Sequence, residues 1–110
     1  MVHTIDEIQK TVDVWIEQNG GYWSPLGMLA AIMEELGELS REISHQSRIK
    51  PKKPEEIPKS LEMELGDLLY SIVCIANYYQ ISLTEAIMKS IEKYQMRDFN
   101  RFKKEEKSKI

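Results

Sequence analysis

The sequence is poor in the residues that cross-link or bend a chain. Its 110 residues include one cysteine, Cys74, which cannot form an intramolecular disulfide or build a cysteine-rich metal site. This cysteine usage is typical of a reducing compartment. Five glycines and four prolines provide little material for the turns of an all-β fold. Glu, Lys, Leu, Ile and Met dominate instead, and this composition favours helices.

The sequence also lacks long apolar runs and an excess of basic residues. The longest charge-free apolar stretch, residues 68–79, is shorter than the roughly 20 residues that a membrane helix needs. The first ten residues contain no apolar region of the kind found in signal peptides. With 15 basic and 18 acidic residues, the net charge of −3 does not favour binding to a nucleic acid polymer. We therefore expect a cytoplasmic protein with neither a membrane nor a nucleic acid as its partner.

Helix start signals divide the chain into four segments. Thr4 and Glu7 form a capping box, and Ser82 and Glu85 form a second one. Ser24 is an N-cap followed by proline at the first helical position. The predicted helices span about residues 5–18, 25–45, 60–79 and 83–102.

The organisation that follows is an all-α, four-helix bundle in a single domain over residues 1–110. Residues 48–59 contain three prolines and are predicted to be a connecting loop, and residues 103–110 are predicted to be a charged tail that frays. The third predicted helix is apolar almost all round, which predicts a buried helix. Because a chain of this length has a small core, we expect oligomerisation to complete it.

Two acidic segments repeat the same order of residue types. Glu35-Leu-Gly-Glu38-Leu on the second helix and Glu64-Leu-Gly-Asp67-Leu on the third each read acid, Leu, Gly, acid, Leu. Residues three or four apart share a helix face, so each pair of acids lies on one side of its helix. A glycine inside a helix costs about 1 kcal/mol relative to alanine. Two glycines at equivalent places suggest that the two backbones approach each other closely.

The acids on the third helix interrupt a core sequence. A buried carboxylate needs a cation, a hydrogen-bond network or protonation. If the two helices pack through their glycines, four acids converge and favour a hard divalent cation: Glu35, Glu38, Glu64 and Asp67. The Glu-x-x-His pair of di-iron bundles is missing, so the pattern favours Mg²⁺ or Mn²⁺ over iron. The alternative is that these acids form a solvated surface face, and the pattern alone leaves both interpretations open.

The spacing of the acids resembles a known family. Glu34-Glu35-x-x-Glu38, followed after 25 residues by Glu64-x-x-Asp67, is similar to the EExxE and ExxD motifs of MazG-like nucleotide pyrophosphohydrolases. The resemblance extends to a lysine and an arginine on the fourth helix and is greatest to the small single-domain members of the family. It implies an all-α hydrolase that converts a nucleoside triphosphate into monophosphate and pyrophosphate, as a housekeeping enzyme of the nucleotide pool.

The same resemblance assigns the site. It implies Mg²⁺, with Mn²⁺ as a substitute, held by Glu35, Glu38, Glu64 and Asp67. It implies catalytic roles for Glu34 and Glu38, since a carboxylate can orient a water or accept its proton.

Four further residues are candidates for substrate binding. Lys93 and Arg97 lie one helical turn apart and match the family's basic pair, which is suited to triphosphate oxygens. Trp23, before the second helix, can stack on a base, and Asn77 is a candidate for the base pocket. Trp15, by contrast, is interpreted as a core residue.

The partners implied are a nucleoside triphosphate and further copies of the chain, as a homodimer or homotetramer. Two other functions stay open at this point. One is the hydrolysis of phosphoribosyl-ATP by a related enzyme. The other is a non-catalytic helical interaction module, although all the acids of the motifs are present.

Overall fold

The computed structural model describes residues 2–47 and 60–108, with side chains as far as Arg101. This part of the chain contains four α-helices and no strand. The helices are α1 (Ile5–Gln18), α2 (Pro25–Gln46), α3 (Leu61–Tyr78) and α4 (Leu83–Ser108). The prediction of an all-α, four-helix fold is confirmed, while the loop predicted at 48–59 lies outside the described residues.

The helices begin where their caps predict. The backbone N–H of Glu7 donates to Thr4 Oγ1 at 3.1 Å, and the Glu7 carboxylate accepts the backbone N–H of Thr4 at 3.4 Å. Ser24 and Ser60 each accept a backbone N–H from three residues later, at 3.1 and 3.0 Å. These side chains satisfy N–H groups that have no partner inside the helix. The entry of the chain into α1, α2 and α3 is therefore set locally.

The fourth helix is longer than predicted. It continues to Ser108, beyond the predicted end near Phe102, and so includes most of the charged segment that we expected to fray. The additional residues are mainly Lys and Glu, which have high helix propensity and do not interrupt a helix. No helix among the described residues has the length and hydropathy needed to cross a membrane.

Packing among the helices is uneven, and the core of one chain is small. The main contact is between α2 and α3, while α1 contacts both α3 and α4. Five hydrophobic side chains are buried in the described part of the chain: Ile16, Met28, Leu39, Val73 and Ala76. The prediction that α3 is buried is wrong for the single chain, because Met63, Leu65 and Leu69 are more than half exposed. Its other side is covered by α2 and α1.

A second apolar surface runs along α2. We call it the α2 stripe, and it consists of Leu26, Leu29, Met33, Leu36 and Ile43. All five side chains are exposed, with Leu26 at 79% and Leu36 at 53%. Successive members lie three, four, three and seven residues apart, which is the spacing of a helix that packs along its length against another helix.

An amide pair joins the first, third and fourth helices. Gln9 Nε2 donates to Asn77 Oδ1 at 3.0 Å and to the backbone carbonyl of Ile81 at 2.9 Å, and Asn77 Nδ2 donates to the backbone carbonyl of Gln9 at 2.9 Å. Gln9 Oε1 accepts the backbone N–H of Leu83 at 2.9 Å, at the start of α4. One side chain on α1 thus fixes both the end of α3 and the beginning of α4.

We predict that Gln9→Ala lowers the free energy of unfolding by about 2 kcal/mol, because the N–H of Leu83 and the amide of Asn77 lose a partner at a part-buried place. Denaturant unfolding measures the change. Gln18→Ala, at the exposed end of the same helix, is the matched control and should change the stability by less than about 0.5 kcal/mol. Equal effects of the two substitutions would show that the amide pair is not a structural joint.

Candidate active site

The contact between α2 and α3 brings three acidic side chains together. Glu35 on α2 and Glu64 and Asp67 on α3 each offer a carboxylate oxygen, and these oxygens lie within 4.8 Å of one another. Glu64 is only 1% exposed, Glu35 is half-buried and Asp67 is exposed. We call these three residues the carboxylate cluster. It contains three of the four residues predicted to bind the metal ion.

The cluster has the composition and spacing of a site for a hard divalent cation. All three donors are carboxylate oxygens, which are the ligands that Mg²⁺ and Mn²⁺ prefer. Ligands of Mg²⁺ lie 2.0–2.1 Å from the ion, so two of its ligands are at most about 4.2 Å apart. Small rotations of exposed or half-buried side chains are sufficient to reach that spacing. The residues present therefore fit a divalent metal ion.

The neighbouring acids affect the pKa of Glu35. Burial raises the pKa of the Glu35 carboxyl, and neighbouring negative charges raise it further. These charges, from the largest effect to the smallest, belong to Asp67, Glu64, Glu34 and Glu38. Glu34 and Glu38 lie outside the cluster itself, but their charges act on it. All five acids of the sequence motifs therefore contribute to one negative region.

The two helical glycines do not explain how the acids meet. A Cβ atom placed on Gly37 or on Gly66 would have no neighbour within 4 Å. The expectation that α2 and α3 approach each other closely through these glycines is therefore wrong within one chain. The acids converge because the two helices pack along the faces that carry Glu35 and Glu64, and both glycines lie on exposed surface.

A pocket of about 530 Å³ opens beside the cluster, and we call it the carboxylate pocket. Glu35 and Asp67 line it. Its other walls carry four aromatic side chains: Trp15, Tyr22, Trp23 and Tyr70. The volume lies within the range of small-molecule sites, and carboxylates beside aromatic rings suit a ligand with a cation-binding part and a flat part.

Sequence reasoning missed part of this pocket. Trp15, which we interpreted as a core residue, is 58% exposed and lines the pocket together with Trp23, which is 69% exposed. Tyr70, Ser71 and Cys74 line it as well. These three follow Asp67 by three, four and seven residues and so share its helix face, a signal that was present in the sequence. Burial raises the pKa of the Cys74 thiol, which keeps it neutral at pH 7.

The basic pair lies elsewhere in the single chain. Lys93 Nζ is 4.8 Å and Arg97 Cζ is 4.7 Å from the ring centroid of Tyr94, so one aromatic ring supports both cations. Arg97 also forms an ion pair with Asp98 at 3.1 Å. Neither Lys93 nor Arg97 lines the carboxylate pocket. The two remain a prediction as substrate contacts.

Asn77 also lies away from the cluster. Its amide is engaged with Gln9, and it lines a separate groove together with Asp13, Tyr22 and Tyr78. Its role in substrate binding remains a prediction.

The chain matches a known family. Residues 23–102 match the MazG nucleotide pyrophosphohydrolase domain, which is most of the chain. The chain belongs to the MazG nucleotide pyrophosphohydrolase family and is a hydrolase. Membership implies a requirement for a divalent metal ion, and the carboxylate cluster is a fitting place for it.

Individual relatives agree with this assignment. The chain is 47% identical over 107 residues to YpjD of Bacillus subtilis (strain 168), covering 96% of each chain. It is similar to a crystal structure of YpjD from Bacillus subtilis with a TM-score of 0.76, over 86% of this chain and 97% of that one. It is also similar to a Bacillus-conserved MazG protein, described as a nucleotide pyrophosphohydrolase, with 38% identity and a TM-score of 0.70 over 84% and 90% of the two chains.

The raised pKa of Glu35 predicts how stability depends on pH. A carboxyl whose pKa is raised by folding contributes stability below its unfolded pKa, and this contribution is lost as the pH rises through the folded pKa. In metal-free buffer at pH 7, Glu35→Gln should therefore melt at a higher temperature than the unmodified protein. The difference should shrink as the pH is lowered towards about 4.5, which is measured by thermal unfolding with a chelator present.

With a divalent metal ion bound, the unmodified protein should melt at a higher temperature than Glu35→Gln. A divalent ion at about 100 times its dissociation constant stabilises the unmodified protein by about 2.7 kcal/mol, and Glu35→Gln should lose most of this gain. Glu62→Gln, an exposed acid on α3, is the matched control and should keep it. If Glu35→Gln is destabilising without metal and gains as much from metal as the control does, Glu35 is not part of a metal site.

Proposed function

We propose that this chain is a Mg²⁺-dependent nucleoside triphosphate pyrophosphohydrolase that converts (d)NTP into (d)NMP and pyrophosphate. The observation that carries the proposal is the carboxylate cluster beside an aromatic pocket, in a chain of the MazG family. We further propose that residues 1–110 form one functional domain that acts in the cytoplasm on unwanted nucleotides. Its ligand is a free nucleotide and not a nucleic acid polymer.

The donor set favours Mg²⁺, with Mn²⁺ as a substitute. The cluster in the described part of the chain contains carboxylates alone, without histidine or cysteine, which is the ligand chemistry of these two ions. We assign Glu35, Glu64 and Asp67 as ligands and include Glu38, one helical turn beyond Glu35, as the fourth. A bound divalent ion neutralises phosphate charge and lowers the pKa of water, which supplies a nucleophile at neutral pH.

We propose that the acids on α2 orient the attacking water and accept its proton. In the reaction, the oxygen of water forms a bond to phosphorus, the bridging bond between the α and β phosphates breaks, and pyrophosphate departs with the bonding electron pair. The proton that the water loses needs an acceptor within hydrogen-bond reach, and a carboxylate is suited to this. We assign this role to Glu38 and assign Glu34 to orienting the water. Their effect on the pKa of Glu35 supports a position beside the cluster.

The aromatic side of the pocket suits the base. Trp15 and Trp23 are exposed indole rings on the same pocket as Glu35 and Asp67. Stacking on an aromatic ring is worth about 1–3 kcal/mol per base and tolerates different bases, because every base has a π face. We therefore propose that the base stacks against Trp23, with Trp15 on the same wall, while the phosphates face the carboxylates.

We also propose a homodimer or homotetramer as the active form. The α2 stripe and the exposed apolar residues of α3 place apolar side chains on the surface of two helices, which favours packing against another chain. Lys93 and Arg97 do not line the carboxylate pocket in one chain. We propose that α4 of one subunit approaches the carboxylates of another, which would bring these cations to the triphosphate. The assembly would then cover the apolar faces and complete the site together.

The first test is a product assay. Incubation with Mg²⁺ and a panel of (d)NTPs and phosphoribosyl-ATP should release pyrophosphate and monophosphate from at least one nucleoside triphosphate. Glu38→Gln and Asp67→Asn should each lower kcat by at least about 10²-fold, because each removes a charge needed at the transition state. Chromatographic separation of the products measures both effects, and circular dichroism monitors the helical content, which should not change.

Glu62→Gln is the control for this assay and should keep full activity, because its side chain is exposed in the first turn of α3. Release of orthophosphate and diphosphate in place of pyrophosphate would overturn the proposed reaction. Hydrolysis of phosphoribosyl-ATP alone would assign the chain to the related enzyme.

A second test addresses the assembly. Light scattering should give a mass of at least twice the 12.9 kDa of one chain. The double substitution Leu26→Glu and Leu29→Glu places two charges on the α2 stripe, so it should reduce the mass to that of one chain and lower kcat strongly. Val2→Glu, at an exposed position before α1, should change neither. A fully active monomer would contradict this part of the proposal.

A further inference from the structure

The connection between α1 and α2 carries part of the aromatic wall but has little regular structure of its own. Gly20 and Gly21 have φ values of +106° and +82°, in the region that favours glycine. Added Cβ atoms there would meet nothing within 4 Å, so the backbone conformation and not the space requires glycine. Tyr22 and Trp23 follow immediately and line the carboxylate pocket. Because glycine restrains the chain weakly, other contacts must fix this wall.

Tyr22 provides the contacts to the rest of the fold. Its hydroxyl donates a hydrogen bond to Asp13 Oδ1 on α1 at 2.5 Å. Its ring packs edge-to-face against Tyr78 on α3, with 6.4 Å between the ring centroids. Burial, together with the hydrogen bond to Asp13, raises the pKa of Tyr22 to about 12, so its hydroxyl keeps its proton at neutral pH and remains a donor.

Tyr22 is the shared wall between two cavities. On one side it lines the carboxylate pocket with Glu35 and Asp67. On the other it lines the separate groove, which Asp13 and Tyr78 also line. Asp13 does not line the carboxylate pocket. Tyr22, which hydrogen-bonds to Asp13, therefore connects Asp13 to that pocket.

We propose that Asp13 is a positioning residue for substrate binding, and that its hydrogen bond to Tyr22 holds the aromatic wall against which the nucleotide base packs. This inference rests on the proposed function of the carboxylate pocket. Tyr22 and Trp23 of this wall belong to the loop between α1 and α2, whereas the carboxylate cluster belongs to α2 and α3. The hydrogen bond between Asp13 and Tyr22 therefore affects the affinity for the substrate and does not affect the rate of the chemical step.

The test compares single, double and conservative substitutions. Asp13→Ala and Tyr22→Phe should each raise KM about fivefold with kcat nearly unchanged, since fivefold is the effect of about one hydrogen bond. The double variant should raise KM no further than Tyr22→Phe alone, because Tyr22→Phe already removes the hydrogen bond to Asp13. Asp13→Asn keeps a side-chain oxygen as an acceptor for the Tyr22 hydroxyl and should restore KM to within about twofold of the unmodified protein.

The matched control breaks a different hydrogen bond of α1. Thr84 Oγ1 donates to Asp6 Oδ1 at 3.0 Å, joining α4 to α1, and neither residue lines the carboxylate pocket. Thr84→Val should leave KM unchanged. An equal rise of KM in this control would overturn the proposal, because it would indicate general loosening of α1. Unchanged KM in both Asp13→Ala and Tyr22→Phe would overturn it as well.

A measurement without substrate separates this inference from the proposed function. Acrylamide quenching of the fluorescence of Trp15 and Trp23 reports how firmly the wall is held in the free protein. Quenching should be steeper in Asp13→Ala and Tyr22→Phe than in the unmodified protein and Asp13→Asn. If the unmodified protein hydrolyses no nucleotide, the proposed function fails, and unchanged quenching would then overturn the positioning role too.

Discussion

Repulsion among three carboxylates, one buried, one half-buried and one exposed, is the constraint on which this structure depends. Glu64 is almost fully buried, and oxygens of Glu35 and Asp67 lie within 4.8 Å of it and of each other. The main helix contact of the fold, between α2 and α3, creates this proximity, so the most extensive packing in the chain also concentrates negative charge. A fold that keeps such an unfavourable arrangement is typical of a functional site, where local cost is offset by the rest of the structure. A divalent cation is the ligand that removes the cost most directly.

A second unfavourable feature of the single chain is its exposed apolar surface. Its buried hydrophobic core in the described residues is small, while the α2 stripe and one side of α3 are open to solvent. Lys93 and Arg97 likewise do not line the carboxylate pocket of their own chain. Both features are accounted for by the proposed assembly, in which subunits cover the apolar faces and α4 of one subunit reaches the pocket of another. Stability and catalysis would then depend on the same association.

Local signals in the sequence predicted the fold well. The caps predicted at Thr4, Ser24 and Ser82 fix where helices begin, and these interactions involve residues only three positions apart. The acid spacing also predicted three of the carboxylates that meet, Glu35, Glu64 and Asp67, whereas Glu38, which was predicted with them, lies outside the cluster. The reason given for their meeting was wrong, since the space around Gly37 and Gly66 is open. Periodicity identifies a face of a helix, but it does not identify the neighbour that covers that face.

The aromatic side of the site also shows that periodicity does not identify which neighbour covers a helix face. Trp15 has the periodicity of a core residue, yet it is exposed on the pocket, because the helices that surround α1 leave that side open. The partners of Tyr22, which are Asp13 on α1 and Tyr78 on α3, lie 9 and 56 positions away along the chain. The sequence by itself determined the helices, the acidic motifs and the class of chemistry, because these depend on short-range spacing and residue type. The tertiary structure decided which side chains share the pocket and which lie outside it, because that depends on how distant helices pack.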